Sequence, residues 1–181
     1  MRGVILAAVA LLVSAGGAAE ADEGRDVDCK KTNLVFDAPG FAVQCRDYSD
    51  NSISVGEMNA ASNFYSMFAM SEADITFIQA YSKAILGGTR FYISKRSMES
   101  ELTDTFSSKF SDWGDEDDIG DFQIKHVTVT SGSGEPADCI GFLKLGARRY
   151  SGVSGLTAGF ACSGSGREQA LDAVKRFVAQ Q

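Results

Sequence analysis

The chain has 181 residues, with 24 acidic and 17 basic side chains that give a formal net charge of −7 at pH 7. Phosphate backbones and anionic membranes repel such a surface, so the composition argues against a nucleic-acid partner. Residues 22–181 match the usual size of one domain built around a single hydrophobic core.

The first 21 residues are typical of a cleaved signal peptide. Arg2 is the basic start, residues 4–13 are all apolar, and Ala19-Glu20-Ala21 is an A-x-A cleavage pattern. This apolar run is well short of the roughly 20 residues that span a bilayer. We therefore expect residues 22–181 to be exported without a membrane anchor. No asparagine lies in an N-x-S/T sequon, which favours the periplasm over a eukaryotic secreted surface.

An even set of four cysteines suits an oxidising compartment: Cys29, Cys45, Cys139 and Cys162. Three pairings are open to four cysteines. The spacing favours Cys29 with Cys45 and Cys139 with Cys162, because each pair flanks a hairpin-like segment. No C-x-x-C spacing is present, so we expect both bridges to be structural and not redox-active.

The first predicted elements are two short strands, residues 34–36 and 41–45, around the turn dipeptide Pro39-Gly40. Residues 53–70 are ambiguous, since their dense aromatic run suits a buried strand or part of a helix. Residues 71–86 predict a helix, because apolar side chains recur at three- and four-residue spacing before Gly87-Gly88. The alternative is a strand over residues 75–81.

A strand is predicted over residues 89–95, followed by a second helix capped by Ser97 whose apolar positions run from Met98 to Phe110. Residues 112–121 predict a charged loop. Three strands then form an antiparallel meander over residues 122–130, 139–145 and 156–162.

The last segment carries the pattern of an amphipathic helix, with a capping box formed by Ser165 and Glu168 and one apolar face. Its apolar positions are Ala170, Leu171, Val174, Phe177 and Val178. Together these segments predict an α+β domain. It would consist of an antiparallel sheet of five to seven strands packed by two or three helices, with the C-terminal helix returning onto the sheet.

His126 is the only histidine, so any serine-histidine-aspartate triad depends on it. Its place on the apolar face of the predicted strand favours a half-buried sheet residue. The densest charge is an acidic run in which Asp115, Asp117, Asp118 and Asp121 are candidate calcium ligands. The EF-hand spacing fails, because the position of the bidentate glutamate is His126. We therefore favour a solvated acidic loop.

Arg148, Arg149 and Tyr150 lie in the glycine-rich connection between the last two strands. A loop tip at this place would present two cations and an aromatic ring to an anionic ligand or partner. The chain has no phosphate-loop motif and no G-x-S-x-G elbow.

The sequence therefore predicts an exported, non-enzymatic binding or accessory protein without a cofactor, whose partner is an unknown protein or small molecule. One alternative is an inhibitor of a basic secreted enzyme such as a lysozyme, since a chain of net charge −7 is steered toward cationic partners. A second alternative is a hydrolase with a site near His126.

Overall fold

The computed structural model describes residues 24–49, 53–55, 58–60, 62–86, 92–132 and 134–181. The predicted signal peptide lies outside these residues. Within them, no helix has both the length and the apolar character that crossing a membrane requires.

Most of the described chain is antiparallel β-structure. The strands are β1 (Arg25–Val27), β2 (Phe41–Asp47), β3 (Ile53–Val55), β4 (Met58–Ala60), β5 (Ser62–Ser71), β6 (Thr76–Ile85), β7 (Ile93–Ser94), β8 (Lys109–Ser111), β9 (Glu116–Ile119), β10 (Phe122–Thr130), β11 (Ala137–Leu145), β12 (Arg148–Arg149), β13 (Gly152–Val153) and β14 (Gly155–Ser163). The helices are α1 (Met98–Thr105) and α2 (Arg167–Val178), and a short 3₁₀ turn covers Cys29–Lys31.

Nine of these strands form one antiparallel sheet in the order β1-β2-β5-β6-β14-β11-β10, with β8 and β9 both on the outer side of β10. A three-stranded sheet, β12-β13-β7, and the hairpin β3-β4 complete the described β-structure. The predicted α+β fold with five to seven strands is therefore wrong: the fold is mainly β, with a nine-stranded sheet and only two α-helices in the described residues.

The helix predicted over residues 71–86 is the main source of this error, because the segment is a turn followed by strand β6. This strand lies between β5 and β14, so both of its edges are paired, and side chains on both of its faces join hydrophobic clusters. Ile78 and Ala80 on one face and Tyr81 on the other are all buried. Burial on both sides removes the alternation that marks a strand, and the remaining apolar spacing imitates a helix. The ambiguous residues 53–70 form strands where they are described.

Several predicted boundaries also change. Residues 34–36 do not form a strand but lie as irregular chain beside α2, where Phe36 packs on Phe177. Helix α1 ends at Thr105, so Phe110 reaches the core from β8 and not from a helix. The N-cap of α2 is Gly166, and the hydroxyl of the predicted cap, Ser165, is instead directed at the carbonyl of Asp74, 3.4 Å away.

The structure describes only part of the strand predicted over residues 89–95, because residues 87–91 lie outside the described residues. Ile93–Ser94 form β7. The predicted acidic loop contains strand β9, which pairs with the first half of β10.

The sheet is covered on both faces. Helix α2 packs on β6, β11 and β14, and its buried residues Ala173, Val174 and Phe177 join Ile78 and Phe142 in one cluster. On the opposite face, α1 and the aromatic side chains that follow it cover Tyr81, Leu156 and Phe160. Alternate residues of the central strands therefore supply two separate cores.

Two disulfides link the chain in the pairing that the spacing predicts, and no cysteine is free. Cys29–Cys45 ties the N-terminal segment to β2, with a Cα–Cα distance of 5.2 Å. Cys139–Cys162 joins directly opposed residues of β11 and β14 and is buried. Both disulfides are consistent with an extracellular or periplasmic location.

Candidate functional site: a basic cleft at a hairpin tip

The candidate site lies at the tip of a long hairpin. Strands β11 and β14 pair from Cys139–Cys162 to Leu145–Leu156, and β12 and β13 continue the same register outward. The Gly146 N–H donates to the Gly155 carbonyl at 2.8 Å between the two parts. A two-residue turn, Tyr150-Ser151, closes the hairpin. The Cys139–Cys162 disulfide closes one end of this hairpin, and the turn closes the other.

Strand β7 pairs with β13 along one side of the hairpin tip. Gly152 is paired with Ser94 and Val153 with Ile93. A Cβ atom on Gly152 would lie 2.0 Å from the carbonyl oxygen of Ile93, so only glycine permits this close approach. The pairing places Lys95, the residue after β7, beside the hairpin tip.

These residues enclose a cleft of about 400 Å³, here called the basic cleft, which is lined by Lys95, Leu145, Arg148, Arg149, Tyr150, Ser151, Gly152 and Val153. Three of the lining side chains are cationic and none is acidic. Tyr150 is 90% exposed, far more than the other large exposed hydrophobic side chains of the described chain. Neither Lys95 nor Arg148 has an ion-pair partner within the described residues.

A buried ion network lies next to this cleft. Glu101 of α1 is only 2% exposed. Its Oε1 accepts hydrogen bonds from Tyr81 Oη at 2.6 Å and from Lys83 Nζ at 3.2 Å. The Oε2 atom lies 3.6 Å from Arg96 Nη1. Arg96, which also pairs with Asp104, thereby fixes the chain beside Lys95 to α1 and to the sheet.

The ionisation of these groups follows from their surroundings. Burial, together with the hydrogen bond to Glu101, raises the pKa of Tyr81, so the phenol stays protonated and donates. The hydrogen bond to Asp104 raises the pKa of Arg96, which keeps its guanidinium charged. Both groups therefore stay in the protonated form that bonds to the neighbouring carboxylates.

His126 does not belong to this site. It lies on β10, and its Nε2 is 3.5 Å from Asp138 Oδ1 without forming a hydrogen bond. No hydrogen bond in the described chain joins His126 to a serine, threonine or cysteine side chain. The structure thus places His126 near the Asp138 carboxylate, but within the described chain it has no hydrogen bond to a nucleophilic side chain.

The four candidate calcium ligands are spread along an exposed edge. Asp117 and Asp118 follow one another on β9 and so point to opposite sides, and Asp121 Oδ2 lies 3.4 Å from Lys144 Nζ. Asp115 precedes the strand. Among the described residues, no three His, Cys, Asp or Glu side chains are placed to hold a metal ion.

The predicted trio of Arg148, Arg149 and Tyr150 is thus brought together with a third cation that the sequence analysis missed. Lys95 lies far away in sequence, and its only local signal is its place as the last residue of a predicted strand. The Glu101 network was missed for a different reason, because the sequence predicts Tyr81 in a helix and not in strand β6.

Comparison with known proteins adds no relative. No protein-family model matches the chain, and neither curated proteins nor solved structures provide a match.

Proposed function

We propose that this chain is an exported, non-enzymatic binding protein that holds an anionic small molecule in the basic cleft. The observation that carries the proposal is the lining itself: three cations and no carboxylate, in a chain with 24 acidic residues. An otherwise acidic chain that gathers Lys95, Arg148 and Arg149 at one place has a local field that attracts anions.

The size and chemistry of the cleft narrow the ligand class. Its volume of about 400 Å³ lies within the range of small-molecule sites, roughly 300–1,000 Å³. Arginine binds carboxylate, sulfate and phosphate groups through a planar fork of donors. Tyr150 adds a flat face with a hydroxyl, and Leu145 and Val153 add apolar walls. The ligand that fits is a ring-containing anion such as an acidic or phosphorylated sugar.

Titration calorimetry with a uronic acid disaccharide, a phosphorylated monosaccharide and a neutral disaccharide tests this proposal. We expect binding of one or both anions, weakened at least tenfold by Arg148→Glu, since charge-assisted hydrogen bonds contribute about 1.5–3 kcal/mol. The matched control is Lys109→Glu, an exposed cation on β8 outside the cleft. The proposal fails if no anion binds, or if both variants weaken binding equally.

Strand β9 favours a second candidate, an acidic inhibitor of a basic secreted enzyme. Residues 115–118 all carry exposed carboxylates along the outer edge of the sheet. An assay of lysozyme activity at low and high salt tests this alternative. Inhibition that salt relieves, and that Asp115→Asn/Asp117→Asn abolishes, would support it.

A hydrolase site near His126 is the third candidate function, and it contradicts the proposed one. A broad hydrolase substrate screen run beside a pull-down from periplasmic extract separates them. Turnover that His126→Ala abolishes would overturn the non-enzymatic proposal.

A further inference from the structure

A second concave surface lies at the β1–β2 edge of the main sheet and shares no residue with the basic cleft. It is a groove of about 690 Å³ between the N-terminal segment and β2. Its apolar walls include Val27, Val35, Phe41, Val43 and the disulfide Cys29–Cys45. Val35 is 37% exposed, although it belongs to a segment that otherwise contributes to the core.

The groove runs beside an open edge of the main sheet. Strand β1 pairs only with Cys45, Arg46 and Asp47 of β2. After Val27 the chain leaves the edge, because Cys29 is bonded to Cys45. The outer side of residues 41–44 consequently has no strand partner among the described residues. An unpaired strand edge offers N–H and C=O groups to another extended chain.

The rim of the groove is acidic. Asp26, Asp28 and Asp37 line it, against one cation, Lys30. Asp26 is partly neutralised by Arg46 at 3.3 Å, and Asp28 accepts the N–H of Lys30 as a cap. The Asp37 carboxylate is exposed and has no partner within the described chain, where only its backbone is held by Gln180.

We propose that this groove binds an extended basic segment of a partner protein, which adds a strand to the outer edge of β2. Main-chain hydrogen bonds to the outward-facing N–H and C=O groups of Val43 and to the C=O group of Phe41 would supply affinity, and the two-residue period of a strand would supply specificity. Alternate apolar side chains of the segment enter the groove between Val35 and Val43. Its basic side chains meet the carboxylates of the rim, above all that of Asp37.

Fluorescence anisotropy with a labelled alternating Lys-Val octapeptide tests this proposal. Two companion peptides serve as controls: an alternating Glu-Val octapeptide, and a Lys-Val octapeptide whose amides are N-methylated along one edge. We expect binding of the unmodified Lys-Val peptide only. Hydrogen exchange should show added protection of the Val43 amide when that peptide is bound, since the amides of Ala42 and Gln44 face β5 and that of Phe41 donates to the Ala38 carbonyl.

Two pairs of variants test the location of the site. Val35→Glu puts a charge on the groove wall, and Leu86→Glu makes the same type of change at a side chain that is 50% exposed outside the groove. Asp37→Lys reverses the rim charge, and Asp172→Lys does so on the exposed side of α2. We expect the first member of each pair to weaken binding at least tenfold and the second to leave it unchanged.

Three results would overturn the proposal. The Glu-Val peptide binding as tightly as the Lys-Val peptide would refute the role of the rim, and unchanged binding by Val35→Glu would refute the groove. A concentration-dependent doubling of mass in analytical ultracentrifugation, lost in Val35→Glu, would assign the groove to a second copy of the chain instead.

Discussion

Glu101 and Glu99 lie two residues apart in the first turn of α1 but in opposite environments. Glu101 is buried and contacts Tyr81, Lys83 and Arg96. Glu99 has a side chain that is 33% exposed, and it pairs with Lys125 at 2.6 Å. Since both share the same helix turn, helix propensity and helix-dipole effects of a substitution are alike at the two positions.

Glu101→Ala should therefore lower the free energy of unfolding by about 3 kcal/mol, because the buried Tyr81 hydroxyl loses its acceptor and the half-buried Lys83 and Arg96 lose their counter-charge. Glu99→Ala should cost at most about 1 kcal/mol, as for other partly exposed ion pairs. Urea unfolding followed by circular dichroism measures both values. Equal losses in the two variants would contradict a structural role for the buried network.

Gly152 provides a second prediction at the scale of one residue. Gly152→Ala should separate β13 from β7 and lower the free energy of unfolding by about 1–3 kcal/mol, since the new methyl group meets the Ile93 carbonyl. Gly132→Ala is the matched control, because a Cβ there has no neighbour within 4 Å. That control should stay within about 0.5 kcal/mol of the parent protein. Thermal melts of both variants decide the question.

At the scale of elements, the hairpin of β11 and β14 depends on the disulfide that closes its base. Cys139→Ala/Cys162→Ala should lower the free energy of unfolding by about 2–4 kcal/mol, because the unfolded chain regains the freedom of a closed loop. The sequence separation of this bridge is 23 residues. Denaturant unfolding measures the loss. Labelling of the native parent protein by a thiol reagent would contradict the presence of both bridges.

The candidate calcium ligands lie on strand β9 and on the chain just before and after it. Because they are spread along an edge of the sheet, we expect calcium not to bind there. Millimolar calcium should leave the melting temperature where matched sodium chloride leaves it, because only general screening acts on separated carboxylates. A bound site would behave differently, since saturation at 100 times the dissociation constant adds about 2.7 kcal/mol. A calcium-specific rise that Asp115→Asn/Asp117→Asn removes would refute this prediction.

At the scale of the whole molecule, acid should destabilise the fold through at least two carboxylates. Hydrogen bonding to Lys125 lowers the pKa of Glu99 from its ordinary 4.5, and hydrogen bonding to Ser49 lowers the pKa of Asp47 from 3.8. Each contribution to stability is complete above the unfolded pKa and is lost as the pH falls through the folded pKa.

We therefore expect the free energy of unfolding to decrease as the pH is lowered below 4.5, and Glu99→Gln to reduce the slope of that decrease. Urea unfolding at several pH values between 2 and 7 provides the measurement. A Glu99→Gln profile parallel to that of the parent protein would show that the Lys125 pair does not contribute.

The sequence alone was sufficient for several elements that neighbours along the chain decide. The C-terminal helix followed from a one-sided apolar stripe, and the strands over residues 122–130, 139–145 and 156–162 followed from turn residues and β-branched runs. The disulfide pairing was predicted from hairpin spacing, which holds for Cys139–Cys162 on β11 and β14, whereas Cys29–Cys45 joins β2 to a segment that forms no strand. Export and the single domain remain predictions from residues 1–21 and from chain length.

Only the tertiary structure decided the identity of β6 and the composition of the basic cleft. The central strand is buried on both faces, so the alternation that would identify it does not exist in its sequence. Lys95 joins Arg148 because β7 pairs with β13 across more than 50 residues of intervening chain, a contact that no local pattern encodes. The outer side of residues 41–44 likewise has no strand partner in the described chain because β1 ends at Val27, a limit that no local pattern encodes.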